Sequence, residues 1–241
     1  MLITIAGMIG TGKTSLSSIL AESLGTKAFF EPVTDNPVLP EYYKNPKENA
    51  FLLQIYFLGK RFDAIKEAMQ TNNAIVDRSI YEDALFTKQN YLDGNISQVA
   101  MDVYNNLLKS MMSEMGALPK KSPDLMIYIK NDFDTIKSRI KKRGREFEQS
   151  DELDEYYKKL LSLYDEFEQD YDASPILTID GSEYDFVDSI ADREAVLNII
   201  YESLLNTKVI NSHEYKQLVK TINHTIDQTT YNLRLADAIA R

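Results

Sequence analysis

The sequence predicts an α/β fold in which a five-stranded parallel sheet is covered by helices on both faces. Five short apolar runs recur along the chain with helical stretches between them, an alternation that is typical of parallel sheets. A glycine-rich loop joins the first run to an amphipathic segment, as in a strand–loop–helix unit. The 241 residues suffice for one such domain with a sizeable core. The predicted strands cover residues 2–6, 27–30, 74–77, 125–130 and 176–179.

Helices are predicted where the segments between these strands carry apolar residues three and four positions apart. The first follows the glycine-rich loop over residues 15–21. The longest covers residues 46–70 and has Pro46 in its first turn, where a missing N–H is tolerated. Asp132 lies where an N-cap is expected for a helix over 132–142. Further helices are predicted over residues 80–92, 97–117, 151–171 and 187–206.

The composition argues against several classes of protein. A net charge of −10 and a pI near 4.8 disfavour a surface for nucleic acid polymers. The absence of cysteine excludes disulfides and thiol catalysis, and two histidines (His213 and His224) are too few for a histidine-based triad or a transition-metal site. No run of 18 apolar residues predicts a membrane helix, and a first strand at residue 2 leaves no room for a signal peptide. We therefore expect a cytoplasmic protein with one domain over residues 1–206 and a C-terminal helical tail over 207–241.

Residues 7–14, Gly-Met-Ile-Gly-Thr-Gly-Lys-Thr, fit the phosphate-binding pattern G-x-x-x-x-G-K-[ST]. Gly7 and Gly12 let the backbone turn its N–H groups towards phosphate oxygens. Lys13 supplies a positive charge, Thr14 a hydroxyl for Mg²⁺, and the following helix a favourable dipole. A strand before the loop and a helix after it disfavour a chance glycine turn. We expect a nucleoside triphosphate to be bound by Gly7, Gly10, Thr11, Gly12, Lys13 and Thr14.

Charged residues follow the second and third predicted strands, at the sheet edge where ligands bind in open α/β folds. Glu31 could act as a general base on a hydroxyl acceptor or hold Mg²⁺ through water, and a solvated loop glutamate is the alternative. Asp77 ends the third strand, where a metal-binding aspartate stands in other triphosphate-binding proteins. Arg78 could hold the acceptor oxygen and the transferring phosphate. An ion pair between Asp77 and Arg78 is the alternative interpretation.

Two further sets of polar residues lie on predicted helices. Gln54 and Arg61 are seven residues apart and share a helix face, and a glutamine amide suits the edge of a nucleobase. A surface-exposed glutamine is the alternative. Residues 137–145 form a basic segment in an acidic chain, with Arg139, Arg143 and Arg145 within it. Such arginines could form a lid that neutralises charge on the triphosphate. A nucleic-acid patch, which lacks aromatic residues here, and an exposed basic face compete with this interpretation.

With these motifs in order, the chain resembles the deoxyribonucleoside kinases related to deoxycytidine and deoxyguanosine kinase, and most of all their bacterial deoxyadenosine/deoxyguanosine kinases. The resemblance runs from Met1 to about residue 206. Any one motif is modest evidence, whereas all of them together, in the order found in the family, are specific for it. The motifs are Gly7 to Thr14, Glu31-Pro32-Val33, Asn36-Pro37-Val38-Leu39-Pro40, Phe51-Leu52-Leu53-Gln54 with Arg61, Asp77-Arg78-Ser79-Ile80-Tyr81-Glu82-Asp83, and Arg139 with Arg143, Arg145, Glu148 and Gln149.

The resemblance implies a P-loop kinase fold with an arginine-rich lid, and 5′-phosphorylation of a 2′-deoxyribonucleoside with ATP and Mg²⁺. It implies that Glu31 takes the 5′-hydroxyl proton while Arg78 holds that oxygen, and that Thr14 and Asp77 serve Mg²⁺. The sugar 3′-hydroxyl would be held by Tyr43 and Glu148. The lid that contacts ATP would consist of Arg139, Arg143 and Arg145, and the base would be met by Gln54, Arg61, Asp83 and Phe86.

The base preference is predicted from the residues that would contact the base. Asp83 accepts from an exocyclic amine, which favours deoxyadenosine, then deoxycytidine, then deoxyguanosine. Thymidine-preferring relatives lack the pair of Arg61 and Asp83, so the resemblance implies that thymidine is a poor substrate. Phe86 is the nearest aromatic for stacking on the base, although ungapped matching puts Thr87 at the family's position. The resemblance also implies a homodimer through the helices between strands three and four. The alternatives are a nucleoside monophosphate kinase such as thymidylate kinase and, more remotely, a nucleotide-gated regulatory ATPase.

Overall fold

The computed structural model describes residues 1–31, 36–117 and 122–222. Within them lies one sheet of five strands, all parallel, in the order β2-β3-β1-β4-β5. The predicted α/β fold is confirmed, and each predicted strand is found within one residue of its expected ends. The strands are β1 (Leu2–Gly7), β2 (Lys27–Phe29), β3 (Ala74–Asp77), β4 (Leu125–Lys130) and β5 (Ile176–Asp180).

The helices agree with the predictions except near some of their ends. Asp132 caps its helix by accepting from Thr135 N at 2.7 Å, as predicted. Ser189 accepts from Asp192 N at 3.2 Å, so the helix predicted from residue 187 begins at Ile190. The helices are α1 (Lys13–Ser23), α2 (Leu39–Lys44), α3 (Pro46–Gln70), α4 (Asp83–Leu92), α5 (Gln98–Met115), α6 (Phe133–Arg143), α7 (Asp154–Asp170) and α8 (Ile190–Asn206).

Three segments differ from the sequence-based expectation. Helix α2 was not predicted, because six residues containing Pro40 carry no helical periodicity. The helix predicted over 80–92 starts with a 3₁₀ turn, Ile80–Glu82, and only then becomes α4. The helix predicted over 151–171 likewise starts with the 3₁₀ turn Asp151–Leu153. Such turns are common at helix N-termini.

Both faces of the sheet are covered because consecutive strand residues point to opposite sides. Ile3 and Ile5 of β1 pack with α1 and α8 on one face. Leu2 and Ala6 point to the other face, where α3 and α5 cover one half and α6 and α7 the other. In the part of the chain that the structure describes, no helix is both long enough and apolar enough to cross a bilayer.

The tail predicted over 207–241 is described as far as residue 222, with a helix over 212–222. Ile210 and Ile222 are buried in the same cluster as α1 and α8. The division at residue 206 stays a prediction. Pro32 and Val33 of the second motif, and His224 of the tail, lie outside the described residues.

The strand order brings three functional segments together. β3 lies between β1 and β2, so Asp77 at its end is placed between the glycine-rich loop after β1 and Glu31 after β2. Ile5 of β1 pairs with Asp77, and Phe29 of β2 pairs with Val76. Segments that are 70 residues apart in sequence therefore meet at one sheet edge.

Candidate active site

The glycine-rich loop adopts a conformation that requires glycine. A Cβ on Gly7 would lie 2.8 Å from the carbonyl oxygen of Ile129, closer than such atoms approach. Gly12 has a φ of +92° at the N-terminus of α1, in the left-handed region that disfavours other residues. The ammonium of Lys13 is folded into the loop and donates to the carbonyl oxygen of Met8 at 2.7 Å. Burial lowers the pKa of Lys13 to about 7, and the nearby charge of Arg78 acts in the same direction.

Thr14 and Asp77 meet beside this loop. The hydroxyl Oγ1 of Thr14 donates to Oδ2 of Asp77 at 2.5 Å. The other carboxylate oxygen, Oδ1, is buried and has no hydrogen-bond partner among the described residues. Burial raises the pKa of Asp77, and the neighbouring Lys13 acts against that shift. A hydroxyl and a carboxylate with an unused oxygen are suitable ligands for Mg²⁺, which typically takes one or two protein oxygens together with phosphates and waters.

Glu31 lines a cavity of about 340 Å³ next to the loop. Its Oε1 accepts from Nη2 of Arg61, and its Oε2 accepts from Nε of Arg78 at 3.1 Å. Burial alone would raise the pKa of Glu31, but the charges of Arg61 and Arg78 outweigh it and lower the pKa to about 2. Glu31 is therefore a partly buried carboxylate that is ionised at neutral pH, and the alternative of a solvated loop glutamate does not hold.

Arg78 follows β3 with a φ of +66°, an uncommon conformation for a residue with a side chain. Its backbone N–H donates to the carbonyl oxygen of Ile5 at 3.0 Å, which continues the sheet for one residue. Its guanidinium pairs with Glu31 and Glu82, so the alternative of an ion pair with the adjacent Asp77 does not hold. The side chain lines the cavity, and the positive φ of its backbone costs of order 1–3 kcal/mol.

Gln54 and Arg61 of α3 line the cavity, whereas Asp83 of α4, a predicted base contact, is fully buried next to Arg61 and does not line it. Gln54 and Arg61 are 3% and 4% exposed, which rules out the surface-exposed glutamine. Arg61 donates through Nη1 to Oδ1 of Asp83, and the hydroxyl of Tyr104 donates to Oδ2 of Asp83. Oε1 of Gln54 is buried without a hydrogen-bond partner in the described chain. A buried acceptor of this kind needs a partner, and Gln54 lines the cavity.

The position of α4 decides which of two neighbouring side chains faces the cavity. Phe86 lines the cavity, whereas Thr87 is fully buried and does not line it. The Phe86 ring lies 4.7 Å from the guanidinium carbon of Arg78 and packs edge-on against Tyr164. The aromatic side chain one position before the family's expected place therefore faces the cavity.

The predicted sugar-contacting pair belongs to the lining of the cavity. Tyr43 and Glu148 both line it, and the Tyr43 ring packs on Phe147 with centroids 4.7 Å apart. Burial raises the pKa of Tyr43, as do the nearby Tyr157 and Glu148, so its hydroxyl keeps its proton at neutral pH. Tyr43 can therefore donate to, or accept from, a sugar hydroxyl.

Two of the three arginines of the basic segment line the cavity, and the third does not. Arg143 and Arg145 line the cavity and pair with Glu148. Arg139 lies apart from the cavity lining and donates to the carbonyl oxygens of Thr11, at 3.1 Å, and Gly181, at 2.8 Å. It therefore joins the glycine-rich loop to the segment that follows β5.

The lysines of the same segment are largely neutralised by acidic neighbours. Lys137 pairs with Asp151 and Asp154, and Lys142 pairs with Asp188. Neutralisation of this kind argues against a nucleic-acid patch, which needs cations that are free to meet phosphates.

Sequence reasoning missed several residues around the cavity. Leu53 and Phe57 share the face of α3 with Gln54, so the apolar stripe of that helix was a usable signal. Tyr104 and Tyr164 contact Asp83 and Arg78, and no local pattern marks them. Glu82, which contacts Arg78, lies within the motif Asp77 to Asp83 but was given no role. The missed lining residues are Ile9, Phe30, Leu39, Tyr42, Leu53, Phe57 and Tyr156.

Known proteins resemble this chain over most of its length. A sequence model of one protein family, described as deoxynucleoside kinase, matches residues 3–206. The chain is 50% identical to the deoxyguanosine kinase of Lactobacillus acidophilus over 205 residues, which are 84% of this chain and 90% of that protein. It is 47% identical to the deoxyadenosine kinase of the same organism, over 84% of this chain and 95% of that protein. The structure of deoxyadenosine kinase from M. mycoides with bound dATP matches with a TM-score of 0.70 and 34% identity, over 83% of this chain and 99% of that one.

Proposed function

This chain belongs to the deoxynucleoside kinase family, an enzyme family of phosphotransferases, and we propose that it transfers the γ-phosphate of ATP to the 5′-hydroxyl of a 2′-deoxyribonucleoside. The observation that carries this proposal is the placement of Glu31, an ionised carboxylate held by two arginines in the cavity that also contains Lys13 and Thr14. A carboxylate in that position can act as general base on a hydroxyl. The product would be the deoxynucleoside monophosphate, as in nucleotide salvage.

The donor side of the reaction is the glycine-rich loop. Its backbone N–H groups and Lys13 would cradle the β- and γ-phosphates of ATP, as such loops do in other P-loop enzymes. Bound Mg²⁺, which Thr14 and Asp77 would hold, supplies positive charge that offsets the charge developing on the transferred group. Arg143 and Arg145 face the cavity and would act as the lid on the phosphates, while the contacts of Arg139 fix the loop itself.

The acceptor side contains Glu31 and Arg78. Glu31 would remove the proton from the 5′-hydroxyl as that oxygen forms its bond to the γ-phosphorus. The bond from the γ-phosphorus to the bridging oxygen then breaks, and ADP leaves with the electron pair. Arg78 would hold the acceptor oxygen and the phosphoryl group in line. Arg78 and the neighbouring Arg61 are both paired with carboxylates, which favours an uncharged hydroxyl acceptor over the phosphate acceptor of a monophosphate kinase.

Recognition of the nucleoside would begin at the sugar and end at the base. Tyr43 and Glu148 would hold the 3′-hydroxyl, which selects for a deoxyribose with that group free. Phe86 would stack on the base. A glutamine amide pairs well with the N6 amine and a ring nitrogen of adenine, and the unpaired Oε1 of Gln54 is an acceptor for that amine.

These contacts favour deoxyadenosine, then deoxycytidine, then deoxyguanosine. Guanine is best read by an arginine that turns two N–H groups towards the base, whereas each terminal nitrogen of Arg61 already directs one N–H to a carboxylate, that of Asp83 or Glu31. Deoxyguanosine is nevertheless the competing purine, since the relatives at 50% identity are named deoxyguanosine kinases and the deoxyadenosine kinase follows at 47%.

The test is ATP-dependent phosphorylation of the four deoxynucleosides side by side, with the four monophosphates and an acceptor-free reaction in parallel. Turnover of deoxyadenosine above the other bases supports the proposal. Turnover of deoxyguanosine above deoxyadenosine would keep the kinase and overturn the base order. Turnover of a monophosphate alone would establish the monophosphate-kinase alternative, and acceptor-free hydrolysis alone would establish the regulatory ATPase.

We further propose that the enzyme works as a cytoplasmic homodimer. On helix α5, between β3 and β4, Val99 is 73% exposed and Val103 is 53% exposed. Leu52 of α3 is 55% exposed. Exposed apolar side chains grouped on neighbouring helices are typical of an interface. Light scattering should give twice the chain mass, and Val99→Asp with Val103→Asp should shift it to one chain mass. A monomeric wild-type protein would contradict the proposal.

A further inference from the structure

Glu82 is a fully buried carboxylate for which the proposed reaction gives no role. It ends the 3₁₀ turn Ile80–Glu82, directly before α4, and its exposed fraction is 0%. A buried carboxylate is costly unless hydrogen bonds or an opposite charge compensate it. Its partners therefore indicate what it does.

One oxygen of Glu82 receives bonds from three different parts of the site. Oε2 accepts from the backbone N–H of Gly7 at 3.2 Å, from Nη1 of Arg78 at 3.4 Å and from the hydroxyl of Tyr164 at 2.5 Å. The second oxygen, Oε1, accepts from the backbone N–H of Ser79 at 3.4 Å. Gly7 opens the phosphate-binding loop and Arg78 is the arginine on the acceptor side. A single oxygen thus joins the donor loop to the acceptor arginine.

Tyr164 strengthens the connection from the opposite side. Its hydroxyl accepts from Nη1 of Arg78 at 2.6 Å and donates to Glu82, so the three groups form one network. The Tyr164 ring stacks on Tyr128 of β4 and packs edge-on against Phe86, which fixes the position of its hydroxyl. Burial raises the pKa of Tyr164, so the hydroxyl retains the proton that it donates.

We propose that Glu82 is a positioning residue that holds Arg78 against the phosphate-binding loop throughout phosphoryl transfer. Arg78 has two carboxylate partners, Glu31 through Nε and Glu82 through Nη1. In the proposed reaction Glu31 gains a proton, which weakens its electrostatic attraction to Arg78. This happens during phosphoryl transfer, when the Arg78 guanidinium stabilises the transferring phosphate. Glu82 takes no part in that proton transfer, so its bond to Arg78 persists and anchors the guanidinium while Glu31 is protonated. This inference depends on the proposed function of Glu31 and Arg78.

If the proposal is correct, substitution of Glu82 lowers kcat, and it does so only when Arg78 is present. Removing the charge of Glu82 leaves substrate binding intact but misplaces a group that acts in the transition state, so kcat falls while KM changes little. We expect Glu82→Gln to lower kcat by about 10-fold, the order of one weakened charge-assisted bond, with the nucleoside KM within about 3-fold of wild type. Tyr164→Phe should lower kcat by about 3-fold, since it removes one neutral hydroxyl that accepts from Arg78 and donates to Glu82.

The experiment is a double-mutant cycle between Glu82→Gln and Arg78→Lys, read as kcat and KM with deoxyadenosine and ATP. If Glu82 acts through Arg78, its substitution costs less than about 2-fold in the Arg78→Lys background. Glu166→Gln is the matched control, because Glu166 is an exposed glutamate of α7 that pairs with Lys88. It should behave as wild type.

Each outcome decides the proposal. Wild-type kcat in Glu82→Gln, or equal losses in both backgrounds, would overturn the positioning role while leaving the kinase activity in place. If Glu82→Gln fails to fold by circular dichroism, the same cycle with Tyr164→Phe decides, and an unchanged kcat in Tyr164→Phe would overturn the role. No turnover of any deoxynucleoside by the wild-type enzyme would overturn the proposed function and this inference with it.

Discussion

Arg61 of α3 and Glu31, which follows β2, form a partly buried ion pair in the lining of the cavity. The same guanidinium is bonded to Asp83 through its other terminal nitrogen. One side chain thus contacts both Asp83, beside the proposed base site, and Glu31, the proposed general base. Base recognition and chemistry are therefore expected to be coupled in this enzyme through Arg61.

Replacing Arg61 with lysine should impair both steps. A lysine keeps the charge but cannot meet two carboxylates with a planar fork, so Glu31 and Asp83 lose their common partner. We expect kcat for deoxyadenosine to fall by about 10-fold and kcat/KM by about 100-fold, the size of one to two lost charge-assisted bonds. Steady-state kinetics would measure both constants. An increase in KM with kcat unchanged would show that Arg61 serves binding alone.

The low pKa of Glu31 predicts a specific dependence of stability on pH. A carboxyl whose pKa is about 2 in the folded protein, against 4.5 for the free group, stabilises the fold at pH values above 4.5. That contribution, on the order of 3 kcal/mol, is lost as pH falls from about 4.5 towards 2.

Urea unfolding of wild type and Glu31→Gln at pH 7, 5 and 3.5 tests this window. The free energy of unfolding of the wild-type protein should exceed that of Glu31→Gln by the same amount at pH 7 and pH 5. The difference should be smaller at pH 3.5. An equal margin at all three pH values would contradict the assignment of the low pKa to Glu31.

Binding of ATP should be accompanied by proton uptake. At a pKa of about 7, Lys13 is mostly neutral at pH 8 before ATP arrives. Triphosphate oxygens beside the ammonium favour its charged form and raise the pKa, so each binding event at pH 8 should take up close to one proton. Calorimetry in buffers of different ionisation enthalpy would count the protons. The uptake should vanish in Lys13→Met, and equal uptake in that variant would contradict the prediction.

Tyr104 should contribute to base discrimination although it does not line the cavity. Its hydroxyl donates to Oδ2 of Asp83 and so fixes which oxygen is turned towards Arg61. We expect Tyr104→Phe to lower kcat/KM for deoxyadenosine by about 10-fold, the cost of a lost bond to a charged group. The ratio of kcat/KM for deoxyadenosine to kcat/KM for thymidine should therefore fall. Tyr91→Phe is the control, since the Tyr91 hydroxyl donates to the exposed side chain of Gln98. An unchanged ratio of the two substrates in Tyr104→Phe would contradict this role.

The fold was predictable because its signals are local. The strand before Gly7 and the strand that ends at Asp77 are continuous apolar runs, which fully buried parallel strands require. Gln54 and Arg61 could be recognised because their helical spacing places them on one face. The loop from Gly7 to Thr14 could be recognised because its glycines are required by backbone geometry.

The remaining parts of the site depend on contacts that no local pattern encodes. Tyr164 meets Arg78 across 86 positions of sequence, and Glu82 meets Gly7 across 75. Phe86 rather than Thr87 faces the cavity because of how α4 is rotated against its neighbours. Such rotations follow from packing over the whole domain, so a single sequence does not determine them by inspection.

The central claim is that Glu31 is the general base for transfer to the 5′-hydroxyl. The most direct test is the single-turnover rate of dAMP formation from saturating deoxyadenosine and ATP, compared between wild type and Glu31→Gln. The substitution keeps the shape of the side chain and removes its basicity. General-base catalysis predicts a rate at least about 100-fold lower in the variant. A rate within about 3-fold of wild type would contradict the claim, because a loss that small lies well below the contribution of a general base.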